Sequence, residues 1–510
     1  MKNCKLILLV FLLTLVPLVA CAKNDPLKLA TVERENVAQI EAILEKGINI
    51  ERSTGDRIKV WVADEEFDWL LEQGWEAVWV PEENYRIPWE PRPKGPKTIT
   101  TPLNFYPTHE EIGLDLAELE TNFPNLCRVE SIGTSVQGRE LWFIKISDNP
   151  DVEEDEPEFK YISTMHGNET TGMPMLMNLI HLLLEDYGTD PRITSLVDET
   201  EIWIMPLMNP DGYSRPFPVR HNANNRDLNR DFPDRNFNPV NTPAGRQPET
   251  QAIMAFGAAH SSVMSANFHG GALVMNYPWD SATGVQCETS PPGPVQPSWI
   301  TPDDEVFVAN SLAYSTPNIP MFNGSFSQGI SNGIDWYSIC GGMQDWNYQW
   351  LGCMEITIEI SNTKNPSPTT LLGFWGDNEE SILAYMEQVH IGVRGVITDA
   401  NTSDPLAATI RVAGRDQDNF TDPDVGDYHR LLLPGTYDLA FEADGYVGQI
   451  MAGVVVTASA ATRLDVQLQP IPTPTSTITL TATSSPTSTA TPTITETPTP
   501  TRPSSIIRVR

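Results

Sequence analysis

Three side chains of metal-ligating types lie at spacings that suit a metal site. His166 and Glu169 stand three positions apart in HGNETTG, and His269 lies in ANFHGG. Two imidazoles and one carboxylate, completed by a water molecule, form the usual shell of a catalytic zinc ion. A separate carboxylate, Glu359, lies near the end of MEITIEIS, an apolar run typical of a buried strand. Zinc that acidifies water, beside a carboxylate that accepts the proton, is enough chemistry to hydrolyse an amide.

Longer motifs follow one another along the chain. They are NPDGY (209–213), DLNRDFPD (227–234), HGG followed by NYPWD (269–280) and GGMQDWNY (341–348). In this order they resemble the zinc metallocarboxypeptidases, and within them the regulatory subfamily of carboxypeptidases E, N, M and D; the resemblance covers roughly residues 100–470. It implies a peptidase that removes C-terminal residues from peptides or proteins. It also implies one zinc ion per catalytic domain, held by His166, Glu169 and His269.

The resemblance assigns roles to further residues. In the regulatory subfamily a carbonyl-polarising arginine precedes an Asn-Arg pair by nine residues, as Arg220 precedes Asn229 here. A substrate-capping tyrosine precedes the catalytic glutamate by twenty-two residues, as Tyr337 precedes Glu359. Asn229 and Arg230 would bind the terminal carboxylate, because a guanidinium beside an amide donor matches a planar anion. Glu359 would be the general base.

Some of these positions have competitors. Arg226 lies in the same polar loop as Arg220, and only spacing favours Arg220 as the catalytic arginine. Glu355 lies four residues before Glu359, so strand alternation puts both carboxylates on one face. Tyr348 is expected to pack in the interior rather than to cap the substrate.

Two residues bear on the preferred C-terminal side chain. The resemblance places Asp280, eleven residues after His269, in the wall of the side-chain pocket, and Gln344 at its base. A buried aspartate requires a cationic partner, so the resemblance implies a preference for C-terminal Arg or Lys. The alternative is an aspartate in a surface turn. Ala272 and Met275 depart from the family pattern and leave the shape of the pocket open.

The start of the chain has the features of an export signal. Lys2 and Lys5 precede an apolar stretch from Leu6 to Val19, and residues 1–20 are predicted to be a signal peptide. LVAC, ending at Cys21, has the form of a bacterial lipobox, which predicts a lipid anchor on that cysteine; the alternative is simple cleavage nearby. We therefore expect an exported protein, either a bacterial cell-envelope lipoprotein or a secreted one.

Composition narrows the classes of partner. The chain has 33 Lys plus Arg and 67 Asp plus Glu, for a net charge of −34, which argues against binding nucleic acid or anionic lipid. We expect a monomer.

Outside the signal region four cysteines remain, and their three possible pairings stay open; they are Cys127, Cys287, Cys340 and Cys353.

Shifts in composition and periodicity predict the domains. Residues 21–99 read as a small α/β unit, either a propeptide or a permanent accessory domain, that ends in a Pro-rich linker. Residues 100–391 read as the α/β catalytic domain, a mixed central sheet flanked by helices. Residues 392–469 alternate with period two, which predicts a small β-sandwich, and they resemble a transthyretin-like domain. Residues 470–510 are a Thr/Pro-rich tail predicted to be disordered.

Rival functions remain open at this level. One is a different hydrolase on the same scaffold, such as a cell-wall peptide hydrolase or a deacylase. The other is a non-catalytic surface binding protein that has kept the fold without the chemistry. The intact pair Asn229 and Arg230 and the transthyretin-like domain count against the first, and the complete set of expected catalytic residues counts against the second.

Overall fold

A computed structural model describes residues 28–33, 39, 42–43, 46, 48–54, 57–80, 105–289, 295–458 and 460–472. The chain divides into two units, Met1–Ile87 and Pro88–Arg510. The predicted signal peptide, Cys21, the Pro-rich linker and nearly all of the Thr/Pro-rich tail lie outside the described residues. Among the described residues, the longest apolar helices fall short of what a membrane crossing requires.

The first unit contains an antiparallel sheet of strand order β2-β3-β1-β4. Its elements are β1 Lys28–Glu33, β2 Asn49–Thr54, β3 Arg57–Val62, helix α1 Asp64–Glu72 and β4 Ala77–Trp79. The alternation predicted for Ile58, Val60 and Val62 is confirmed, since all three are buried on β3. Of the helix predicted around residues 37–44, Ile43 is helical and buried, while Val37, Ile40 and Leu44 lie outside the described residues.

An eight-stranded mixed sheet forms the centre of the second unit, in the order β11-β10-β12-β9-β7-β8-β6-β5. The strands are β5 Cys127–Thr134, β6 Glu140–Ile146, β7 Glu158–Ser163, β8 Glu201–Met205, β9 Met264–His269, β10 Ala272–Tyr277, β11 Ile330–Asn332 and β12 Met354–Ser361. The four central strands, β12, β9, β7 and β8, run parallel. Their carboxyl ends therefore meet at one edge of the sheet, where a ligand site is expected.

Helices cover both faces of this sheet. They are α2 His109–Asn122, α3 Gly172–Glu185, α4 Pro191–Asp198, α5 Pro210–Tyr213, α6 Pro248–Ala259, α7 Asp304–Ser315, α8 Ile319–Phe322, α9 Gly333–Trp336, α10 Met343–Trp346 and α11 Leu371–Met386. Successive residues of β7 point into different cores: Tyr161 belongs to the same core as Leu176 of α3, whereas Ile162 belongs to the core that contains Phe256 of α6. Both faces are covered, so all six residues of β7 are buried, the polar ones included, and the predicted mixed α/β fold is confirmed.

The C-terminal part of this unit is a two-sheet β structure. Its strands are β13 Val393–Asp399, β14 Ala408–Val412, β15 Asn419–Phe420, β16 Asp427–Arg430, β17 Gly435–Ala443, β18 Tyr446–Val447, β19 Gln449–Val456, β20 Thr462–Arg463 and β21 Val466–Pro470. One sheet has the order β16-β13-β21-β18, with β20 beside β13, and the other β15-β14-β17-β19. A single core lies between them, to which β17 contributes Leu439 and Phe441. The predicted β-sandwich is confirmed.

Polar contacts join the sandwich to the α/β region. The buried carboxylate of Asp303 accepts hydrogen bonds from Arg415 Nη1 at 2.7 Å and Arg430 Nη2 at 2.6 Å. Burial opposes ionisation of Asp303, but the two arginines outweigh it and lower the pKa of this carboxyl below its ordinary value. Tyr348 donates its hydroxyl to the same carboxylate at 2.8 Å and is 1% exposed, so it lies in the interior.

Only two of the four cysteines form a disulfide. Cys287 and Cys340 form a disulfide, with Cα atoms 5.6 Å apart. Cys127 and Cys353 are buried free thiols.

Candidate active site

The proposed metal ligands converge at the carboxyl edge of the central sheet. His166 and Glu169 lie in the loop that follows β7, and His269 is the last residue of the adjacent parallel strand β9. Oε2 of Glu169 lies 2.9 Å from His166 Nδ1 and 2.8 Å from His269 Nδ1. The two Nδ1 atoms are 3.0 Å apart.

This arrangement fits a shared cation. All three side chains are at most 3% exposed, and a carboxylate oxygen and two ring nitrogens point at one another. The two Nδ1 atoms, 3.0 Å apart, cannot both carry a proton without the two protons facing each other, whereas one metal ion accepts a lone pair from each of the three atoms. Two nitrogens and one oxygen are the donor set that zinc prefers in catalytic sites.

Asp227 holds the far side of His166. Its Oδ1 lies 3.0 Å from His166 Nε2, and its Oδ2 accepts a hydrogen bond from Arg220 Nε at 2.8 Å. Burial opposes ionisation of Asp227, but Arg220 and His166 outweigh it and hold the pKa of this carboxyl well below its usual range. Sequence reasoning missed Asp227. Its place as the first residue of DLNRDFPD, an acid two positions before Asn229, was the available signal.

Two cations neutralise the second oxygen of Glu169. Lys364 Nζ lies 3.1 Å from Oε1, and Arg220 Nη1 donates to the same atom at 3.3 Å. Burial opposes the charge on Glu169, but His166 and Lys364 keep its pKa well below the ordinary value, so it is ionised as a metal ligand must be. Lys364 is 7% exposed, and sequence reasoning missed it too. No spacing rule links it to a glutamate 195 residues earlier.

The register of β12 separates the two candidate bases. Glu359 pairs with His269 across the parallel strands, while Glu355 pairs with Ser265. Glu355 is occupied structurally, since it accepts hydrogen bonds from Ser265, Asn267 and Asn347, the last two at 2.8 Å and 2.6 Å. Glu359 Oε2 is buried without a hydrogen-bond partner. Burial, and then the charge of Glu169, raise the pKa of Glu359 to about 7.

The structure also distinguishes the two candidates for the catalytic arginine, Arg220 and Arg226. Arg220 is half-buried and contacts Glu169 and Asp227, which ties it to the metal-ligand cluster. Arg226 is exposed. The structure therefore brings Arg220, and not Arg226, to the ligands.

The two candidate carboxylate-binding residues share a short 3₁₀ turn, Leu228–Arg230. Asn229 is 5% exposed, and its Oδ1 accepts a hydrogen bond from Met343 N at 3.0 Å. Arg230 forms a two-pronged ion pair with Glu288, in which Nη2 donates to Oε2 at 3.1 Å. Tyr337 directly follows α9, and its pKa is raised by burial but opposed by the nearby charges of Arg230 and Arg220. Tyr337, Arg230 and Arg220 are therefore close enough to interact electrostatically.

Asp280 is buried, with 1% of its surface exposed, so the surface-turn alternative is wrong. Its Oδ1 accepts a hydrogen bond from Asn276 Nδ2 at 3.3 Å, and within the described part of the chain no cation pairs with it. Burial, and then the carboxylate of Asp345, raise its pKa well above the ordinary value. A Cβ at Gly333 would lie 1.9 Å from Oδ1, so only glycine fits against this carboxylate.

Gln344 lies on the α10 side of the same region. Its Oε1 accepts a hydrogen bond from Thr357 N at 2.9 Å, two residues before Glu359 on β12, and its Nε2 is buried without a partner. Gly342 lies between Asp280 and Asn229. A Cβ on this glycine would lie 3.3 Å from Asp280 Oδ2 and 3.5 Å from Asn229 Oδ1. Asp280 and the turn that carries Asn229 are thus adjacent.

The sequence pattern of the zinc carboxypeptidase family matches residues 114–381, which include every residue of this site. The chain belongs to the zinc carboxypeptidase family. Its membership confirms the resemblance predicted from the motifs.

Curated relatives of this zinc carboxypeptidase point to the same subfamily. Mouse carboxypeptidase D is 42% identical over 388 residues, which cover 72% of this chain and 27% of that protein. Mouse carboxypeptidase M is 40% identical over 368 residues, covering 68% of this chain and 80% of the relative. The human carboxypeptidase N catalytic chain is 38% identical over 387 residues, covering 68% and 82%. The chain thus spans about a quarter of the length of the carboxypeptidase D relatives.

Solved structures show the same fold at lower identity. Carboxypeptidase A from Helicoverpa armigera aligns with a TM-score of 0.55 at 18% identity, covering 71% of this zinc carboxypeptidase and 97% of that chain. Thrombin-activatable fibrinolysis inhibitor aligns with a TM-score of 0.54 at 15% identity, covering 72% and 99%. At these identities the likeness concerns the fold alone.

Proposed function

We propose that this chain is a zinc-dependent carboxypeptidase that hydrolyses the C-terminal peptide bond of peptides or proteins. The observation that carries the proposal is the position of Glu359 opposite His269, with one carboxylate oxygen buried and unpartnered. A base beside a metal ligand serves hydrolysis, and a binding protein that had lost the chemistry would have no use for it.

The metal and the base divide the work. Zinc held by His166, Glu169 and His269 would act as a Lewis acid towards the scissile carbonyl and would make a water molecule more acidic. Glu359 would take the proton from that water and deliver it to the leaving amine. Its buried oxygen, which has no hydrogen-bond partner in the described part of the chain, is free to accept that proton.

Four polar side chains, two of them arginines, would bind the substrate and stabilise charge. Asn229 and Arg230 would bind the terminal carboxylate, which requires Glu288 to release Arg230. Arg220, held by Asp227, would stabilise the oxyanion as negative charge develops on the carbonyl oxygen. Tyr337 would cover the bound terminus and help to exclude water.

We also propose a preference for C-terminal Arg or Lys. Asp280 is a buried carboxylate without a cationic partner, and Gln344 offers an unpartnered amide nearby. A substrate guanidinium or ammonium would supply the missing charge and favour the ionised form of Asp280. The names of the relatives, carboxypeptidases D, M and N, are those of the subfamily to which the motifs pointed.

The finer points of location and architecture are part of the same proposal. The N-terminal sequence supports an exported protein, lipidated at Cys21 in a bacterial cell envelope or secreted. We propose that the chain is a monomer with five segments: a signal peptide (1–20), a propeptide or accessory domain with its linker (21–99), a catalytic domain (100–391), a transthyretin-like sandwich (392–469) and a disordered tail (470–510).

The test uses N-acylated dipeptides that end in arginine, with release of free arginine as the readout. The zinc-loaded full-length chain should release arginine, a chelator should abolish the release, and added zinc should restore it. The matched C-terminal amide should resist hydrolysis, because Arg230 and Asn229 lose the carboxylate that they bind. Equal cleavage of acid and amide, or removal of the N-acyl group instead, would favour the rival hydrolases. Zinc-loaded protein without any hydrolysis would favour a binding protein.

A further inference from the structure

A second group of carboxylates lies where the α/β region meets the β-sandwich. Glu153 and Glu158 come from the α/β region, while Asp422 comes from the loop between β15 and β16 of the sandwich. One oxygen from each lies within 4.8 Å of the other two. Glu158 begins β7, so this group lies at the opposite end of that strand from the zinc ligands. It is therefore separate from the active site.

The group lines a small cleft of about 10 Å³, room for about one water-sized sphere, that contains unpartnered buried oxygens. Glu158 is 3% exposed; its Oε1 accepts a hydrogen bond from Ser261 N at 2.8 Å, whereas its Oε2 has no hydrogen-bond partner. Asp427 also lines the cleft and is 4% exposed; its Oδ2 lies 2.9 Å from His429 Nε2, and its Oδ1 has no partner. Buried oxygens without donors are rare, because each costs a lost hydrogen bond.

The positive charges nearby do not neutralise this group. Lys145 Nζ is 3.6 Å from Glu153 but only 2.6 Å from Glu201, which is its closer partner. His260 Nδ1 is 3.7 Å from Glu158, but burial lowers the pKa of His260 to about 4, so its ring is neutral. Arg394 and Arg463 pair with Asp155 instead. The cleft therefore carries excess negative charge.

The acids themselves respond to that excess. Burial, and then Glu201, raise the pKa of Glu153 to about 7, and burial and Asp422 raise that of Asp427 to about 8. Burial and Glu153 raise the pKa of Glu158 well above its ordinary value. A bound cation would favour the ionised form of these carboxyls and would replace the protons that they hold.

We propose that Glu153, Glu158 and Asp422 bind a calcium ion that joins the sandwich to the α/β region. Calcium takes oxygen ligands at about 2.3–2.6 Å with flexible geometry, so three carboxylate oxygens that lie within 4.8 Å of one another can share one ion. Magnesium demands a tighter octahedron, and zinc prefers nitrogen and sulfur donors. Asp427, with its unpartnered Oδ1, lies beside the ion as the next carboxylate of the cleft.

The test measures thermal unfolding of the zinc-loaded full-length chain as calcium is added, with calorimetric titration of calcium as a direct readout of binding. Calcium should raise the unfolding temperature by several degrees, because it binds the folded state alone, and magnesium should raise it less. Glu158→Gln and Asp422→Asn should abolish both the shift and the calorimetric signal. Without calcium, the same variants should unfold at or above the wild-type temperature, because each removes a repelling charge.

Asp424→Asn is the matched control. Asp424 is exposed, stands two residues from Asp422 and contacts it only through its backbone N–H, so this variant should keep the full calcium response. If the wild type gives no calorimetric signal, the proposal is wrong. It is equally wrong if Glu158→Gln and Asp422→Asn respond to calcium as the wild type does, or if either is destabilised without calcium while its response persists. Those results would give the carboxylates a purely structural role.

Discussion

Glu359 on β12 lies directly opposite His269 on β9 in a parallel strand pair. A backbone register therefore fixes the distance between the proposed base and a proposed metal ligand, independently of loop conformation. Glu355, four residues earlier, is about 13 Å further along the strand at about 3.3 Å per residue. A one-residue slip of β12 would turn Glu359 to the other face of the sheet.

Replacing the proposed base should separate chemistry from metal binding. We expect Glu359→Gln to lose about 10²- to 10⁴-fold in kcat, because a neutral amide cannot accept the proton, and to keep its zinc. Glu355→Gln, the matched control, should lower stability but leave the kcat of the folded protein near that of the wild type. Zinc content and steady-state kinetics of both variants provide the check. A reversal, with Glu355→Gln inactive and Glu359→Gln active, would disprove the assignment.

Asp227 should matter for metal affinity. By accepting a hydrogen bond from His166 Nε2–H at 3.0 Å, it directs the lone pair of Nδ1 towards the ligand cluster. We expect Asp227→Asn to weaken zinc binding about 10- to 100-fold, measured by competition with a chromogenic chelator. Glu288→Gln alters another carboxylate that contacts a proposed substrate-binding residue and should leave zinc affinity unchanged. An unchanged affinity in Asp227→Asn would remove this role.

Glu288 occupies the guanidinium of Arg230 that a substrate carboxylate would need. We expect Glu288→Gln to lower KM with little change in kcat, because the substrate no longer displaces an internal carboxylate. Glu288 is about 40% exposed, so the gain should be at most about fivefold. Steady-state kinetics on one peptide substrate decide this. A raised KM would mean that Glu288 orients Arg230 rather than competing for it.

Asp280 should set the preference for cationic side chains. We expect Asp280→Asn to lower kcat/KM roughly 30-fold or more for a peptide that ends in arginine, with little effect on one that ends in phenylalanine. This corresponds to a loss of about 2–5 kcal/mol in transition-state stabilisation. The measurement compares peptides that differ only in the last residue, for the wild type and the variant. Equal wild-type rates for arginine and phenylalanine, or the same ratio in the variant, would contradict the specificity proposal.

Asp427 should make stability depend on pH. Its folded pKa of about 8 lies above the unfolded value, so between about pH 5 and pH 8 the folded state holds a proton that the unfolded chain has lost. Stability must then fall as pH rises, by at most about 1.4 kcal/mol per pH unit. The charged and titratable groups around it include Asp422, Asp155, Glu201, Glu153 and His429.

The check for this pH dependence is denaturant unfolding in calcium-free, zinc-containing buffer. The stability of wild type relative to Asp427→Asn should decline from pH 5 to pH 8, since asparagine does not titrate. A difference that stays constant across this range, or that grows in favour of the wild type, would contradict the prediction.

The sequence predicted the parts of the site that follow spacing rules. His166, Glu169 and His269 stand in local motifs at strand ends, and the alternation of β12 narrowed the base to two carboxylates. Periodicity could not choose between those two, because they share a face; pairing with β9 separates them.

The residues that sequence reasoning missed act across loops. Lys364 reaches Glu169, and Glu288 reaches Arg230, through contacts that depend on how loops fold back over the sheet edge. Neither is signalled by a periodicity or a local motif. The same holds for the approach of Asp345 to Asp280, where Asp345 accepts the backbone N–H of Asp280 at 2.9 Å. Such pairings are properties of tertiary structure, and a single sequence does not encode them locally.

Strand β12 lies between β9 and β10, although those two strands follow each other directly in the chain. A strand made late in synthesis therefore enters the middle of the sheet, and it brings Glu359 with it. A nascent chain has its proposed metal ligands well before it has its base. Any translation product that stops short of β12 lacks both a central strand and the proposed base, so we expect such a product to be inactive.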